Sequence, residues 1–168
     1  MFHSSGTSNI ALNKNDSVIN LKINAPCKSL SHVLIFAIDP NDRKDWARKE
    51  AFKNLDIKWV NVAVEGKPNQ LYSSGPTTQY TYDQILKSFN HNMTVTIGEF
   101  LTSKYALVLD LRWSYEDALH RNGLKLRTEM TVEIMRIASG SGKLRLYVFL
   151  VQDAKVGIQD SRFTGDSY

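Results

Sequence analysis

The residues best suited by type to do chemistry are Asp110, Glu116, Asp117 and His120: a carboxylate closing an apolar run, then two more carboxylates and an imidazole in the loop that follows. Such a group could exchange protons with a substrate. It has no nucleophile, no metal cluster and no second carboxylate at a definable spacing, so charge on a solvated loop is the plainer reading. From Asp39 to Glu50, Asp39, Asn41, Asp45 and Glu50 fall at calcium-loop positions. Arg43 would put a cation in that cage, and Lys44 stands where the sharp bend needs glycine. Ser139-Gly140-Ser141-Gly142-Lys143 has the residue types that end a phosphate-binding loop, but Ile137 occupies the position of the first glycine and Leu144 that of the magnesium-binding hydroxyl. A turn between strands accounts for it. His3, His32, His91 and His120 are scattered, and Cys27 is the single cysteine, so neither a ligand set nor an internal disulfide is expected. The chain is thus expected to be no enzyme, with no catalytic, metal-binding or cofactor-binding residue and no small-molecule substrate.

Surface chemistry is the alternative to a pocket. Arg121, Lys125 and Arg127 flank Gly123 in a basic loop that could meet phosphates or a neighbouring subunit. Arg43, Lys44, Arg48, Lys49 and Lys53 share their segment with Asp42, Asp45 and Glu50, which nearly balance them, and Trp46 is its apolar anchor. No aromatic interleaving marks a nucleic-acid surface, so a solvated face or subunit contact is favoured over a weak nucleic-acid contact. The formal charge of +4 is spread along the chain and singles out no partner.

The elements that position these residues read as strands. Ile19, Leu21 and Ile23 alternate with Asn20 and Lys22, the period of a strand with one buried face. His32 to Ile38 is almost wholly apolar, as in a strand buried on both faces. Asp42 to Phe52 reads as a short helix or ordered loop. Leu55 to Val64 is strand-like and meets a turn at Glu65 to Asn69, and Leu71-Tyr72 resumes briefly. Tyr82, Ile85, Leu86 and Phe89 have helical spacing within Tyr80 to Phe89, with Thr81 as a cap. Met93 to Ile97 and Tyr105 to Leu111 read as further strands. Thr128, Met130, Val132 and Ile134 alternate cleanly, as do Leu144, Leu146, Val148 and Leu150, and the Ser139 to Gly142 turn between them predicts an antiparallel hairpin. Tyr147 and Phe149 face away from Leu146 and Val148, either as an outward aromatic patch or as part of a second buried face. A last strand runs from Lys155 to Gln159.

About eight strands with one or two short helices in the loops, and no βαβ repeat, predict an all-β fold: an antiparallel two-sheet jelly-roll sandwich. The 168 residues suffice for one core. The expected organisation is a flexible N-terminal arm over 1–15, a single jelly-roll domain over 16–162 and a polar tail over 163–168. The first fifteen residues lack the apolar core of a signal peptide, and no apolar run is long enough to span a bilayer, so no membrane partner is expected.

Leu55 to Tyr72 (LDIKWVNVAVEGKPNQLY) resembles the strand–turn–strand of double jelly-roll major capsid proteins of the Polinton and adintovirus type. Tyr105 to Arg112, Met130 to Ile137 and Gly142 to Ile158 are similar to the end of those proteins, where such a segment closes the second jelly roll. Ala25-Pro26-Cys27-Lys28 before the apolar strand fits as well. The resemblance runs from about residue 17 to about residue 162 and rests on the order and spacing of blocks. It implies a structural subunit, without catalytic residues or cofactor, located in a virion or otherwise intracellular. Its partners would be other capsid subunits or a partner jelly roll, and it would form a homo-oligomer. Trp46, Arg121, Lys125, Arg127, Tyr147 and Phe149 are the candidate interface or phosphate contacts. The competing functions are a jelly-roll binding module, lectin-like or cytokine-like, and a cupin-type enzyme, which would need a His/Glu metal cluster that the scattered histidines do not offer.

Overall fold

A computed structural model of the chain describes residues 3–4, 8–41, 52–69, 72, 78–88, 94–112, 123–137, 142–152, 154–159 and 162–167. In chain order the elements are β1 (His3–Ser4), β2 (Ser8–Asn13), β3 (Val18–Ile23), β4 (Cys27–Ile38), β5 (Ile57–Val64), β6 (Lys67–Pro68), α1 (Thr78–Ser88), α2 (Ile97–Thr102), β7 (Leu107–Asp110), β8 (Leu124–Leu126), β9 (Met130–Arg136), β10 (Lys143–Gln152), β11 (Ala154–Gln159) and β12 (Arg162–Ser167).

Strands β1 to β10 form two antiparallel sheets, and β11 and β12 make a separate two-stranded one. In the larger, β10 lies between β4 and the pair β1 and β2, while β7 and β8 both pair with the far side of β4; the smaller runs β3-β9-β5-β6. Each passage β2 to β3, β3 to β4, β4 to β5, β8 to β9 and β9 to β10 changes sheet. That exchange between early and late strands makes the expected jelly-roll sandwich.

The alternation in the sequence becomes the core. Ile19, Leu21 and Ile23 of β3, Val60 and Val62 of β5, and Met130, Val132 and Ile134 of β9 are buried from the small sheet. Leu144, Leu146, Val148 and Leu150 of β10 meet them from the large sheet beside Val33, Ile35 and Ala37 of β4. β4 is central in its sheet and mostly buried, as its apolar run predicts. On its outer face Phe52 lies on Phe36 with ring centroids 4.8 Å apart, and the neighbouring β7 is packed by α1.

Several local expectations are corrected. The predicted β9–β10 hairpin is an arch, because the two strands belong to different sheets. Gly142 turns the corner at φ 113°, a conformation that side chains other than glycine rarely adopt. The stretch expected to be a flexible arm supplies β1 and β2, paired with β10 from His3↔Gln152 to Asn13↔Lys143. A polar edge strand needs only a backbone ladder and one or two inward residues, here Leu12 and the half-buried Ile10. The expected polar tail likewise contributes β12, paired with β11. Within the stretch Met93 to Ile97, expected to be a strand, the described residues 94–96 form none and Ile97 begins α2, capped by Thr96. Thr81 is no helix cap but a buried residue inside α1. Tyr72 is buried in a single turn and not in a strand. The segment 42–51, the expected helix with Trp46, lies outside the described residues.

Gly123, just ahead of β8, lies close against β4. Its N–H donates to Ser29 Oγ at 2.9 Å. A Cβ there would stand 2.6 Å from the Leu30 carbonyl carbon and 2.7 Å from its oxygen. Gly123→Ala is therefore expected to push β8 off β4 and to cost about 1–3 kcal/mol, read as a lower urea midpoint. Gly98→Ala in α2, where nothing lies within 4 Å, is the matched control and should not lower it.

Candidate functional site

Of the four residues that could form an acid–base group, Asp110 is described; Glu116, Asp117 and His120 lie outside the described residues. Asp110 ends β7 on the outer face of the large sheet, in register with His32 of β4. Its Oδ1 accepts from the Arg112 backbone N–H and from Arg112 Nε, each at 3.0 Å, and its Oδ2 accepts from Arg112 Nη2 at 2.9 Å. His32 Nε2 stands 3.7 Å from Oδ2, and His32 Nδ1 is 3.2 Å from Ser31 Oγ, which donates to the Val151 carbonyl. Tyr72 donates its hydroxyl proton to the Asp110 carbonyl at 2.9 Å. Burial works to raise the Asp110 carboxyl, but the Arg112 hydrogen bonds and the charges of His32 and Arg112 outweigh it and hold the group below its ordinary range. Burial pushes Tyr72 and Tyr105 well above the normal phenol value. This is a carboxylate held by a guanidinium fork and phenols held neutral, a set that pins β4, β7 and the preceding chain together.

The other motifs resolve in the same direction. Asp39 of the calcium-like loop accepts from Lys14 Nζ at 2.7 Å and from the Asn41 N–H at 2.9 Å, and the Lys14 bond leads the effects that lower its pKa. Gly142 and Lys143 open a strand and not a helix, so the loop has no helix N-terminus to offer a phosphate. Cys27 is half-buried, and burial raises its thiol, away from the reactive thiolate. Among the described residues no group of three or more His, Cys, Asp or Glu could hold a metal ion.

The candidate interface residues do not form one patch. Lys125 is exposed in β8, opposite the Cys27–Leu30 end of β4, and Arg127 is exposed just beyond, its N–H donating to Glu65 Oε1. Tyr147 and Phe149 are half-buried on the outer face of β10, where Tyr147 is paired with Phe36 towards the other end of β4. Phe149 meets the Phe36 ring edge-on with centroids 5.6 Å apart. The aromatic face is thus partly covered by its own chain. Trp46 and Arg121 lie outside the described residues.

Two features were missed from the sequence. Arg136 takes the inward position at the end of β9, buried, with Nε donating to the Leu55 carbonyl at 3.2 Å and Nη1 to the Lys14 carbonyl at 3.3 Å. Its signal was present: it continues the series Met130, Val132, Ile134. The second is the outer face of the small sheet, where register aligns Val18, Met135 and Trp59 in one row, then Asn20, Glu133 and Asn61, then Lys22, Thr131 and Ala63. The two polar rows line a shallow depression of about 420 Å³.

No protein-family model and no curated protein matches the chain. Solved structures do. The mavirus major capsid protein aligns over 99% of this chain with a TM-score of 0.50 and 12% identity. The sandwich shares its fold with a viral capsid protein. A chain in the cryo-EM structure of the Sputnik virophage aligns over 99% of this chain with a TM-score of 0.53 and 13% identity. The protein spans 40% of the mavirus chain and 37% of the Sputnik chain. At these identities the likeness is one of fold.

Proposed function

We propose that this protein is a capsid-like structural subunit, one jelly roll of the double jelly-roll type found in Polinton- and adintovirus-like elements, acting through protein–protein assembly in a virion. The observation that carries the reading is the alignment of 99% of the chain with two fifths of the mavirus major capsid protein. A unit of that size corresponds to one jelly roll of a two-roll subunit. The partners are copies of the chain or a second jelly roll, with Lys125 and Arg127 available for a weak contact with nucleic acid. The side chains support a structural role: Asp39 and Asp110 are engaged by Lys14 and Arg112, as a scaffold requires.

Light scattering on the purified chain, followed by negative-stain microscopy of any large species, tests the proposal. Discrete oligomers or particles are expected. A strict monomer at every accessible concentration that binds one glycan in an array experiment would overturn the proposal in favour of a lectin-like module.

A further inference from the structure

β3 forms one edge of the small sheet: it pairs with β9 on one side and with no described strand on the other. Its hydrogen bonds can be placed residue by residue. Arg136 donates its N–H to the Ser17 carbonyl at 2.9 Å, and these two residues continue the register that sets Val18 opposite Met135. Opposed residues in an antiparallel pair alternate between those that exchange backbone bonds and those that do not. Ser17 therefore belongs to the bonded set together with Ile19, Leu21 and Ile23. Val18, Asn20 and Lys22 turn their N–H and C=O groups the other way, to the open edge. Val18 is 39% exposed, and Asn20 and Lys22 are exposed as well.

A bare edge of this kind is a template for another strand, and natural folds blunt it. The other edge of this sheet is blunted: β6 has 2 residues and ends on Pro68, which has no N–H. β3 has 6 residues, no proline and an unbroken register with β9. Its one charged residue, Lys22, is drawn towards its own sheet, with Nζ 2.6 Å from Glu129 Oε2. The edge is also complementary to itself. Set antiparallel to a second β3 about a two-fold axis at Asn20, it places Asn20 opposite Asn20 and Val18 opposite Lys22. Every residue that faces the edge then lies in a bonded pair, and each pair exchanges two backbone bonds. A shift of two residues leaves one of them without a mate, and a shift of one sets outward residues against inward ones. In the favoured register Ile19 stands opposite Leu21, both buried, so the inward apolar face runs on from one copy into the next.

We propose that β3 pairs antiparallel with β3 of a second copy, joining two small sheets into one continuous sheet. The inference rests on the assembly reading above and supplies its contact. A second copy is the occupant because the edge offers every donor and acceptor that its own groups need, in a single best register. The contact is isologous, so it closes at a dimer and leaves the other surfaces of both copies for further assembly.

The test uses the full chain. Asn20→Pro removes the N–H at the axis from both copies, and an edge position whose N–H faces away from the sheet tolerates proline. Loss of both bonds of the central pair is expected to weaken dimerisation by about tenfold to a hundredfold in sedimentation equilibrium. In a Cys27→Ser background, Asn20→Cys should form an interchain disulfide under mild oxidation, because opposed Cα atoms in a bonded pair stand about 5.5 Å apart. Lys22→Cys should not, since the two-fold sets its copies roughly 13 Å apart along the strands, but it should crosslink to Val18→Cys when the two chains are mixed. These crosslinks decide the matter if Asn20→Pro fails to fold. Dimerisation unchanged in a folded Asn20→Pro chain would overturn the proposal and leave the assembly reading standing. Crosslinks that do not follow this register would overturn it too, by placing a different strand on the edge. A full chain that never associates would remove both.

Discussion

Phe100→Ala is expected to lower stability by about 3–5 kcal/mol, with a melting temperature lower by roughly 10 °C. Phe100 is fully buried although it sits on α2, a helix of 6 residues. A helix that short does not hold together unaided. Its N-terminus is fixed by reciprocal bonds, the Glu99 N–H to Thr96 Oγ1 at 3.3 Å and the Thr96 N–H to Glu99 Oε2 at 3.0 Å. The rest of its support is the Phe100 ring, 5.3 Å from Tyr82 of α1 and 4.9 Å from Tyr105. Tyr105 leads directly into β7, so the ring couples α1 and α2 to the large sheet. Truncation removes the buried apolar area and the ring's contacts with Tyr82 and Tyr105. Phe100→Leu, which keeps most of the volume, should cost about 1–2 kcal/mol. Thermal melts followed by near-ultraviolet circular dichroism and by far-ultraviolet signal decide the matter. Coincident transitions are expected; a loss confined to the near-ultraviolet signal, with the sandwich melting as before, would show that the helices are an independent layer.

The elements that were legible in the sequence were those whose burial follows from period alone. β3, β4, β9 and β10 were read correctly because each buried face shows directly as alternation or as a continuous apolar run. Which strand pairs with which was not legible. The Ser139 to Gly142 turn serves a hairpin and an arch equally well, because glycine gives the chain the same freedom in both and alternation records burial but not partner. β2 was missed because a sheet edge can be made from Ser, Asn and Ala when its neighbour supplies the ladder. α2 could have been found: Thr96 and Glu99 have the spacing of a capping box just ahead of an apolar residue. Reading Met93 to Ile97 by strand propensity hid that signal.

The candidate site divides in the same way. Asp110 was visible as a carboxylate ending a strand, and its partner Arg112 lies close enough in sequence to have been noticed. His32 was not, since it reaches Asp110 only through the pairing of β4 with β7. The row Val18, Met135 and Trp59 exists only once two registers are known, so no inspection of the linear chain finds it. Tyr147 and Phe149 were placed on the outer side of β10, but the stacking of Phe52 on the Phe36 ring that meets Phe149 depends on a long-range bridge between Phe52 and Ile38.

Asp110→Asn is expected to destabilise the protein by about 2–3 kcal/mol at neutral pH, and the difference is expected to vanish in acid. The amide keeps one oxygen but loses the charge and the second acceptor of the guanidinium fork, leaving Arg112 and His32 around a neutral group. The sign follows from the depressed carboxyl. Burial alone would raise it, and the Arg112 bonds with the His32 and Arg112 charges bring it down. A carboxyl lowered on folding adds stability that is fully present above its unfolded pKa of about 3.9. That stability is lost as pH falls through the lower folded value. Asp39, lowered chiefly by its bond to Lys14, acts in the same direction. The native chain should therefore hold its stability down to about pH 5 and weaken below about pH 4. Urea midpoints of native and Asp110→Asn chains should run parallel at higher pH and converge under acid, with the Asp39 contribution falling in both. A constant gap down to the lowest pH would show that the geometry of the fork matters and its charge does not. Arg112→Met, alone and combined with Asp110→Asn, separates the cases, because a coupling that fades with protonation belongs to the ion pair.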